Sequence, residues 1–345
     1  MKHRAYLYIA IAFIILAVGV AGWFFLYPLS TAEGERFIYI DADDNADSLY
    51  AKMDSISRPW QLIAFKTIAR HASGESKTSD GLGIFSTGRY AINPGETPIT
   101  IFRRLKSGAQ SPVNITIPEV RTMERLAAVL SKKIMVDSVA IISALKDSAL
   151  CASIGYDTAT IYAIFIPNTY SVYWDISMPR LIDRMVTEHA RFWNVARTAK
   201  AAEAGLSLTE VSTLASIVDE ETANNAEKPT IAGLYINRLR IGMPLQADPT
   251  VKFATGDFTL RRITGKHLKT DSPYNTYLHE GLPPGPIRIA SIAGIDAVLN
   301  YEKHDYLYMC AKEDFSGTHN FAASYGEHQR NARRYTNALN KLRIK

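Results

Sequence analysis

The sequence predicts an α+β protein with an N-terminal transmembrane helix, and three observations support this prediction. An apolar segment without charged residues opens the chain at 6–26. Apolar and polar residues alternate in short segments such as 37–41 and 113–119, as they do in strands. Other segments have the 3.6-residue apolar period of helices, and the composition, 47% hydrophobic and 21% charged, is ordinary for a folded protein.

The apolar segment is long enough to cross a bilayer. Its roughly 21 residues, at about 1.5 Å each, span about 30 Å, the thickness of the hydrocarbon core. Lys2 and Arg4 precede it and aromatic residues cluster at its far end, so we expect a cytoplasmic N-terminus and an extracytoplasmic chain beyond it. A cleaved signal peptide is the alternative, although its apolar region is usually only about 7–15 residues. We therefore predict a single-pass anchor in residues 1–30, in the inner (cytoplasmic) membrane.

The rest of the chain is predicted to form two modules. Residues 31–112 carry strand, helix and strand patterns, which indicate a small α+β module. A short helix over 97–105 is predicted to close at Gly108. Residues 113–345 open with a strand and continue mainly as helices, interrupted by a Gly- and Pro-rich loop over 264–286. Within this second module the patterns predict one long helix over 178–197 and a C-terminal helix over 322–343.

Charge and cysteine content exclude several classes of protein. The net charge of +5 is spread along the chain without a Lys- or Arg-rich tract, so nucleic-acid binding is not expected. Cys151 and Cys310 are the two cysteines, and outside the cytoplasm a disulfide between them stays an open alternative. The His and Cys spacings typical of metal sites are absent, so we expect neither a metal nor a cofactor.

One predicted helix carries the candidate catalytic group. Ser207 and Glu210 have the spacing of a capping box, and apolar residues at i, i+3, i+4 and i+7 follow over 211–218. A second helix begins near Pro229 and ends near Gly242, so the two form a predicted helical hairpin. The first helix ends in three consecutive acids, Asp219, Glu220 and Glu221.

Helix phase distinguishes the three acids. At about 100° per residue Glu221 continues the apolar stripe, whereas Asp219 and Glu220 point about 140° and about 120° away from Leu214 on opposite sides. A carboxyl on the buried side of a helix, beside like charges, should have the raised pKa that a general acid needs near neutral pH. The alternative is an acid at a helix end that pairs with an arginine such as Arg238.

Five further blocks occur in a fixed order, at 214–222, 236–243, 245–251, 271–277 and 281–287. This series resembles the YceG-like family of endolytic murein transglycosylases, and the resemblance extends over about residues 84–345. The family has one catalytic glutamate, and the resemblance places it at Glu221, directly before Thr222. Relatives commonly have Glu-Lys-Glu where this chain has Asp-Glu-Glu, and Pro-Glu-Gly where it has Val120 in place of the glycine.

The resemblance implies a substrate cleft, lined by side chains suited to sugar hydroxyl and N-acetyl groups: Gln246, Asp248, Tyr274, Asn275, Tyr277 and His319. For the block at 271–277 the alternative is a simple turn, and for the histidine it is a structural role. The resemblance also implies that residues 31–112 form a LysM-like module, a small fold associated with glycan binding. A structural spacer is the alternative for this module.

The activity implied by the resemblance is cleavage of the bond between N-acetylmuramic acid and N-acetylglucosamine in nascent peptidoglycan strands. The products carry 1,6-anhydro ends, and cleavage would terminate strand elongation. One carboxyl suffices, because the sugar's own 6-hydroxyl is the nucleophile. Three alternatives are a non-catalytic glycan-binding scaffold, a muramidase that uses water, and a pyridoxal-phosphate lyase, for which no glycine-rich phosphate loop is evident. The implied partners are peptidoglycan strands and penicillin-binding synthases.

Overall fold

The computed structural model describes residues 2–73, 84–260 and 262–342. The prediction of a mixed α+β protein is confirmed, since the described chain combines helices with three two-stranded sheets. The strands are β1 (Arg36–Ile40), β2 (Gly88–Ile92), β3 (Val113–Thr116), β4 (Thr169–Val172), β5 (Tyr308–Ala311) and β6 (His319–Ala322). The helices are α1 (Lys2–Leu26), α2 (Ala46–Asp54), α3 (Pro59–Ser73), α4 (Pro98–Ser107), α5 (Met123–Leu130), α6 (Ser138–Leu145), α7 (Ser148–Ser153), α8 (Met178–Phe192), α9 (Val195–Ala204), α10 (Leu208–Glu221), α11 (Lys228–Arg240), α12 (Asp248–Thr255), α13 (Ile292–Leu299) and α14 (Tyr325–Lys341).

The first helix has the length and composition of a membrane span. Its segment His3–Leu26 is apolar, and none of its most apolar stretch is buried against the protein. A signal sequence near the N-terminus would meet the same criteria of length and composition. The predicted N-terminal apolar helix is thus confirmed as a helix.

The chain divides into two compact units. The first comprises the described residues up to Ile115, together with Lys133–Val136 and Ser171–Ile176. The second comprises Thr116–Lys132, Asp137–Tyr170 and the described residues from Ser177 onward.

In the first unit β1 and β2 pair in antiparallel fashion, with Tyr39 opposite Arg89. Helices α2, α3 and α4 pack with this strand pair around an apolar core that includes Phe65 and Tyr90. The prediction that a helix closes at Gly108 is confirmed: this residue adopts φ 67°, and its N–H donates to the last carbonyls of α4.

In the second unit the core surrounds α10, which contacts α11, α12 and α13. All residues of α10 from Val211 to Val218 are buried. This helix is therefore enclosed on every side, although its sequence resembles that of an amphipathic helix with one apolar stripe. Strands β5 and β6 form an antiparallel hairpin against α14.

Two predicted helices differ from the structure. The single helix expected over 178–197 is wrong, because α8 ends at Phe192 and α9 begins after Asn194. The Asn194 side chain accepts a hydrogen bond from Arg197 N, which is the cap of a new helix rather than the interior of an old one. The C-terminal helix starts three residues later than expected, at Tyr325, behind the cap Ser324; its predicted end at 343 lies outside the described residues. Both cysteines are free thiols.

Candidate active site

The three acids end a well-defined helix. The predicted capping box is confirmed: Ser207 Oγ accepts from Glu210 N at 3.2 Å, and Glu210 Oε2 accepts from Ser207 N at 2.8 Å. Pro229 lies in the first turn of α11, as predicted. The capping box and the buried residues 211–218 define the helix at whose C-terminal end the three acids lie.

Glu221 is the last residue of α10 and is partly buried. The fully buried Tyr235 of α11 donates its hydroxyl to Glu221 Oε1 at 2.7 Å. Burial is the main reason that the pKa of Glu221 rises from 4.5 to about 7, and the charge of Asp248 acts in the same direction. The Tyr235 hydrogen bond and the charges of His319 and Arg238 lower the pKa but do not cancel the rise.

Asp219 forms a buried ion pair. Its Oδ1 lies 2.6 Å from Lys228 Nζ, and the two side chains are only 2% and 7% exposed. It also accepts from Ser291 N at 2.6 Å and from Ser291 Oγ at 2.8 Å, just before α13. A Cβ atom at Gly294 would lie 2.6 Å from the same carboxylate, so α13 approaches α10 closely here. Asp219 thus joins α10, α11 and α13.

Glu220 pairs with two arginines. Arg121 donates to it through Nε at 2.8 Å and through Nη2 at 2.5 Å, in the two-bond geometry that matches a guanidinium to a carboxylate. Arg288 donates from Nη1 to Glu220 Oε1 at 3.0 Å. The Glu220 carboxylate is therefore held by cations on a different side of the helix from Glu221.

Two predicted site residues, Gln246 and Asp248, lie at the start of α12. Gln246 is exposed and has φ 48°, which is uncommon for a residue with a Cβ atom. Its N–H donates to Thr276 O at 3.0 Å, which fixes this strained backbone. Asp248, the first residue of α12, accepts a hydrogen bond from the Tyr277 hydroxyl at 2.7 Å. Since the charge of Asp248 raises the pKa of Glu221, these residues belong to the same local site.

The environments of Tyr274 and Asn275 differ from those of Gln246, Asp248 and Tyr277. Tyr274 is partly buried against Phe253, with ring centroids 4.6 Å apart, and burial raises the pKa of its hydroxyl to about 12. Asn275 is fully buried; its side chain donates to Leu268 O and Thr270 O and accepts from Tyr277 N. The amide of Asn275 is thus occupied within its own loop.

His319 lies in β6 and is held by a buried acid. Its N–H donates to Glu227 Oε1 at 2.7 Å, and its Nδ1 lies 2.9 Å from Glu227 Oε2. Glu227 occupies Nδ1, so Nε2 is the ring nitrogen left for another partner. His319 lowers the pKa of Glu221, which places it in the electrostatic surroundings of that carboxyl.

Arg238 does not act as the ion-pair partner of Glu221 that the alternative interpretation required. It is buried and donates to backbone carbonyls, from Nε to Leu307 O at 2.7 Å and from Nη1 to Leu245 O at 2.6 Å. In the described residues Glu221 instead receives a hydrogen bond from the neutral hydroxyl of Tyr235. Helix periodicity did not predict this contact, because Tyr235 lies on a helix whose residues are buried on several sides.

This arrangement is suited to proton transfer. A half-buried carboxyl with a pKa near 7 can both give and take a proton at neutral pH. Within residues 2–73, 84–260 and 262–342, no group of three or more His, Cys, Asp or Glu side chains is placed to hold a metal ion.

Comparisons with known proteins agree on one family. The sequence profile of the YceG-like family matches residues 38–334. An endolytic murein transglycosylase of Bacillus subtilis is 30% identical over 276 residues, which cover 75% of this chain and 76% of the relative. An endolytic murein transglycosylase of Streptococcus pneumoniae is 31% identical over 176 residues, but these cover 50% of this chain and only 32% of that longer relative.

A solved structure shares the fold. The crystal structure of a YceG-like protein from Listeria monocytogenes matches with a TM-score of 0.55 and 23% identity, over 87% of this chain and 99% of that chain. The family profile spans most of the sequence, and the Bacillus subtilis relative is similar over three quarters of it. The chain therefore belongs to the YceG-like family.

Proposed function

We propose that this chain is an endolytic murein transglycosylase that cuts peptidoglycan glycan strands between N-acetylmuramic acid and N-acetylglucosamine. Family membership and the names of the relatives support this activity. The observation that carries it in this chain is the proton affinity of Glu221. With a pKa of about 7, roughly half of these carboxyls hold a proton at neutral pH, and the other half are ready to accept one.

In the proposed reaction Glu221 is first the acid and then the base. It gives its proton to the glycosidic oxygen while the bond from that oxygen to C1 of the muramic acid breaks. The resulting carboxylate takes the proton of the muramic acid's 6-hydroxyl, whose oxygen bonds to C1 and closes the 1,6-anhydro ring. No water is consumed, and Glu221 ends protonated as it began. Because the nucleophile belongs to the same sugar, its positioning costs little entropy.

The neighbouring polar side chains are proposed to bind the sugars. The exposed amide of Gln246 is suited to an N-acetyl or hydroxyl group, and the paired Asp248 and Tyr277 offer an acceptor and a ring face. His319 Nε2 has no hydrogen-bond partner among the described residues, and this histidine lies in the electrostatic surroundings of Glu221. For Tyr274 the exposed part of the ring remains a proposed sugar contact. Asn275 is better suited to holding the loop in place, because its amide is already bonded within it.

A muramidase that hydrolyses the same bond is the second candidate, and one observation favours it. Asp248 is a second carboxylate whose charge acts on Glu221. A pair of carboxylates is what hydrolysis with water ordinarily requires. The hydrogen bond from Tyr277 to Asp248 argues for a positioning role instead, since it engages one of the carboxylate oxygens.

Product analysis tests the proposed function. The purified full-length chain is incubated in detergent with peptidoglycan sacculi, and the released ends are identified by mass spectrometry. We expect 1,6-anhydromuramyl ends from the unchanged chain and none from Glu221→Gln. Reducing muramyl ends, which carry one more water, would establish the muramidase. Unchanged sacculi would leave the glycan-binding scaffold as the better description, whereas equal cleavage by Glu221→Gln would exclude Glu221 as the catalytic acid.

The location and organisation of the enzyme are part of the same proposal. The helix His3–Leu26 would act as an inner-membrane anchor with the N-terminus in the cytoplasm, so that residues beyond about 30 reach the glycan outside. Residues 31–112 would form the LysM-like module and 113–345 the transglycosylase domain, acting beside penicillin-binding synthases. Fusion of alkaline phosphatase to the chain end tests the orientation: an inactive fusion would place the C-terminus in the cytoplasm.

A further inference from the structure

A cavity lies beside the same end of α10 as the three acids. Its volume is about 420 Å³, within the range of small-ligand sites. Charged side chains and one aromatic ring dominate its lining: Glu119, Arg121, Arg125, Glu220, Phe258 and Arg288. We call these six residues the arginine pocket. The proton-transfer chemistry described above uses none of them.

The charges of the arginine pocket do not balance. Glu220 accepts from both Arg121 and Arg288, and Glu119 Oε2 lies 3.4 Å from Arg288 Nη2. Arg125 is exposed, and in the part of the chain that the structure describes its guanidinium has no ion pair or hydrogen bond. Its neighbour Glu124 does not compensate it, because Glu124 pairs with Lys146 Nζ at 3.1 Å. The pocket therefore keeps one uncompensated guanidinium, which is a donor suited to an anion.

The arginine pocket and the candidate active site lie at the same end of α10. Glu220, which organises the pocket, precedes Glu221 directly, and consecutive Cα atoms lie about 3.8 Å apart. On the other wall Phe258 contacts Phe253 of α12, with centroids 6.3 Å apart. That helix begins at Asp248, whose charge acts on Glu221. The pocket and the candidate active site thus share the ends of two helices.

We propose that the arginine pocket binds an anionic group of the glycan strand beside the bond that is cut. This inference rests on the proposed function, because the substrate of that function carries such groups on the muramic acid next to the scissile bond. A carboxylate of an attached peptide stem has the paired oxygens that a guanidinium binds through two hydrogen bonds. A phosphate at a lipid-linked strand end has the same chemistry. Phe258 supplies an apolar wall, and Arg121 lies over it with its Cζ 5.9 Å from the ring centroid.

Binding to a cleavage-deficient protein tests the pocket. The Glu221→Gln chain (residues 1–345) in detergent is titrated with three ligands: glycan oligomers that carry peptide stems, the same oligomers after their carboxylates are converted to amides, and lipid-linked oligomers with a terminal phosphate. Adding Arg125→Gln should weaken binding of the charged oligomers about tenfold, the loss expected for one charge-assisted hydrogen bond. It should leave binding of the amidated oligomers unchanged. Raising the salt concentration should shrink the difference.

Arg180→Gln is the matched control, because Arg180 is another exposed arginine of the same unit and does not line the pocket. We expect this control to bind all three oligomers like the parent chain. A loss confined to lipid-linked oligomers with a terminal phosphate would support the pocket and assign phosphate as its anion. Equal affinities of Arg125→Gln and the parent for all three oligomers would overturn the proposal. The readout is affinity, so it stands whether or not Glu221 proves catalytic in the product assay.

Discussion

Replacing Glu221 by glutamine should stabilise the protein in alkaline solution. Burial raises the pKa of this carboxyl from 4.5 to about 7. Between pH 4.5 and pH 7 the folded state therefore holds a proton that the unfolded chain has already lost. The stability of the folded state therefore falls as the pH rises from 4.5 to 7. At about 1.4 kcal/mol per pKa unit, the ionised carboxyl costs the folded state about 3 kcal/mol at pH 8, but less than about 1 kcal/mol at pH 5.

Glutamine carries no charge to desolvate, and its side-chain oxygen can still accept the Tyr235 hydroxyl. Thermal unfolding of the full-length chain in detergent, followed by circular dichroism, measures the effect. For a unit of roughly 200 residues, about 3 kcal/mol corresponds to a rise of several degrees in Tm at pH 8. Glu203→Gln is the control, because Glu203 is 70% exposed and should change stability by less than about 0.5 kcal/mol at either pH. Equal stabilisation by Glu221→Gln at pH 5 and pH 8 would refute a raised pKa.

Three further outcomes are expected. In Tyr235→Phe the carboxyl of Glu221 loses a hydrogen bond that lowers its pKa, so the alkaline limb of the kcat profile should move to higher pH; an unmoved limb would contradict this. Asp219→Asn leaves Lys228 buried without its carboxylate partner, so denaturant unfolding should show that the free energy of unfolding falls by about 3–5 kcal/mol. A fall of less than about 1 kcal/mol would argue against the ion pair. Gln246→Gly removes the strain of a left-handed backbone and should stabilise the fold by up to about 1 kcal/mol. It also removes the proposed amide contact with the sugar, so KM should rise, and an unchanged KM would exclude that contact.

Local patterns in the sequence predicted the elements that depend on near neighbours. The capping box at Ser207, the proline that opens α11 and the glycine that closes α4 all involve residues within a few positions of one another. The break between α8 and α9 was missed, although Asn194 is a common capping residue, because the apolar pattern runs across it.

The contacts that define the candidate site were beyond the reach of such patterns. Tyr235 lies fourteen residues after Glu221, and Glu227 holds a histidine ninety-two residues away. Periodicity assigns a residue to a face of its own helix, but it does not show which element covers that face. The family resemblance supplied the order of the blocks, and the structure supplied the distances between particular atoms.

Partner charge, rather than burial alone, separates the three adjacent acids. Helix phase predicted that Glu221 would face the protein and its two neighbours would point away, but the side chains of Asp219 and Glu220 are only 2% and 8% exposed. Each of these two is bonded to cations, which compensate the cost of burying a carboxylate. Glu221 is met by the neutral hydroxyl of Tyr235 and by the negative charge of Asp248. Because no cation forms an ion pair with Glu221 among the described residues, burial raises the pKa of this carboxyl to about 7, which is the property that an acid catalyst at this helix end requires.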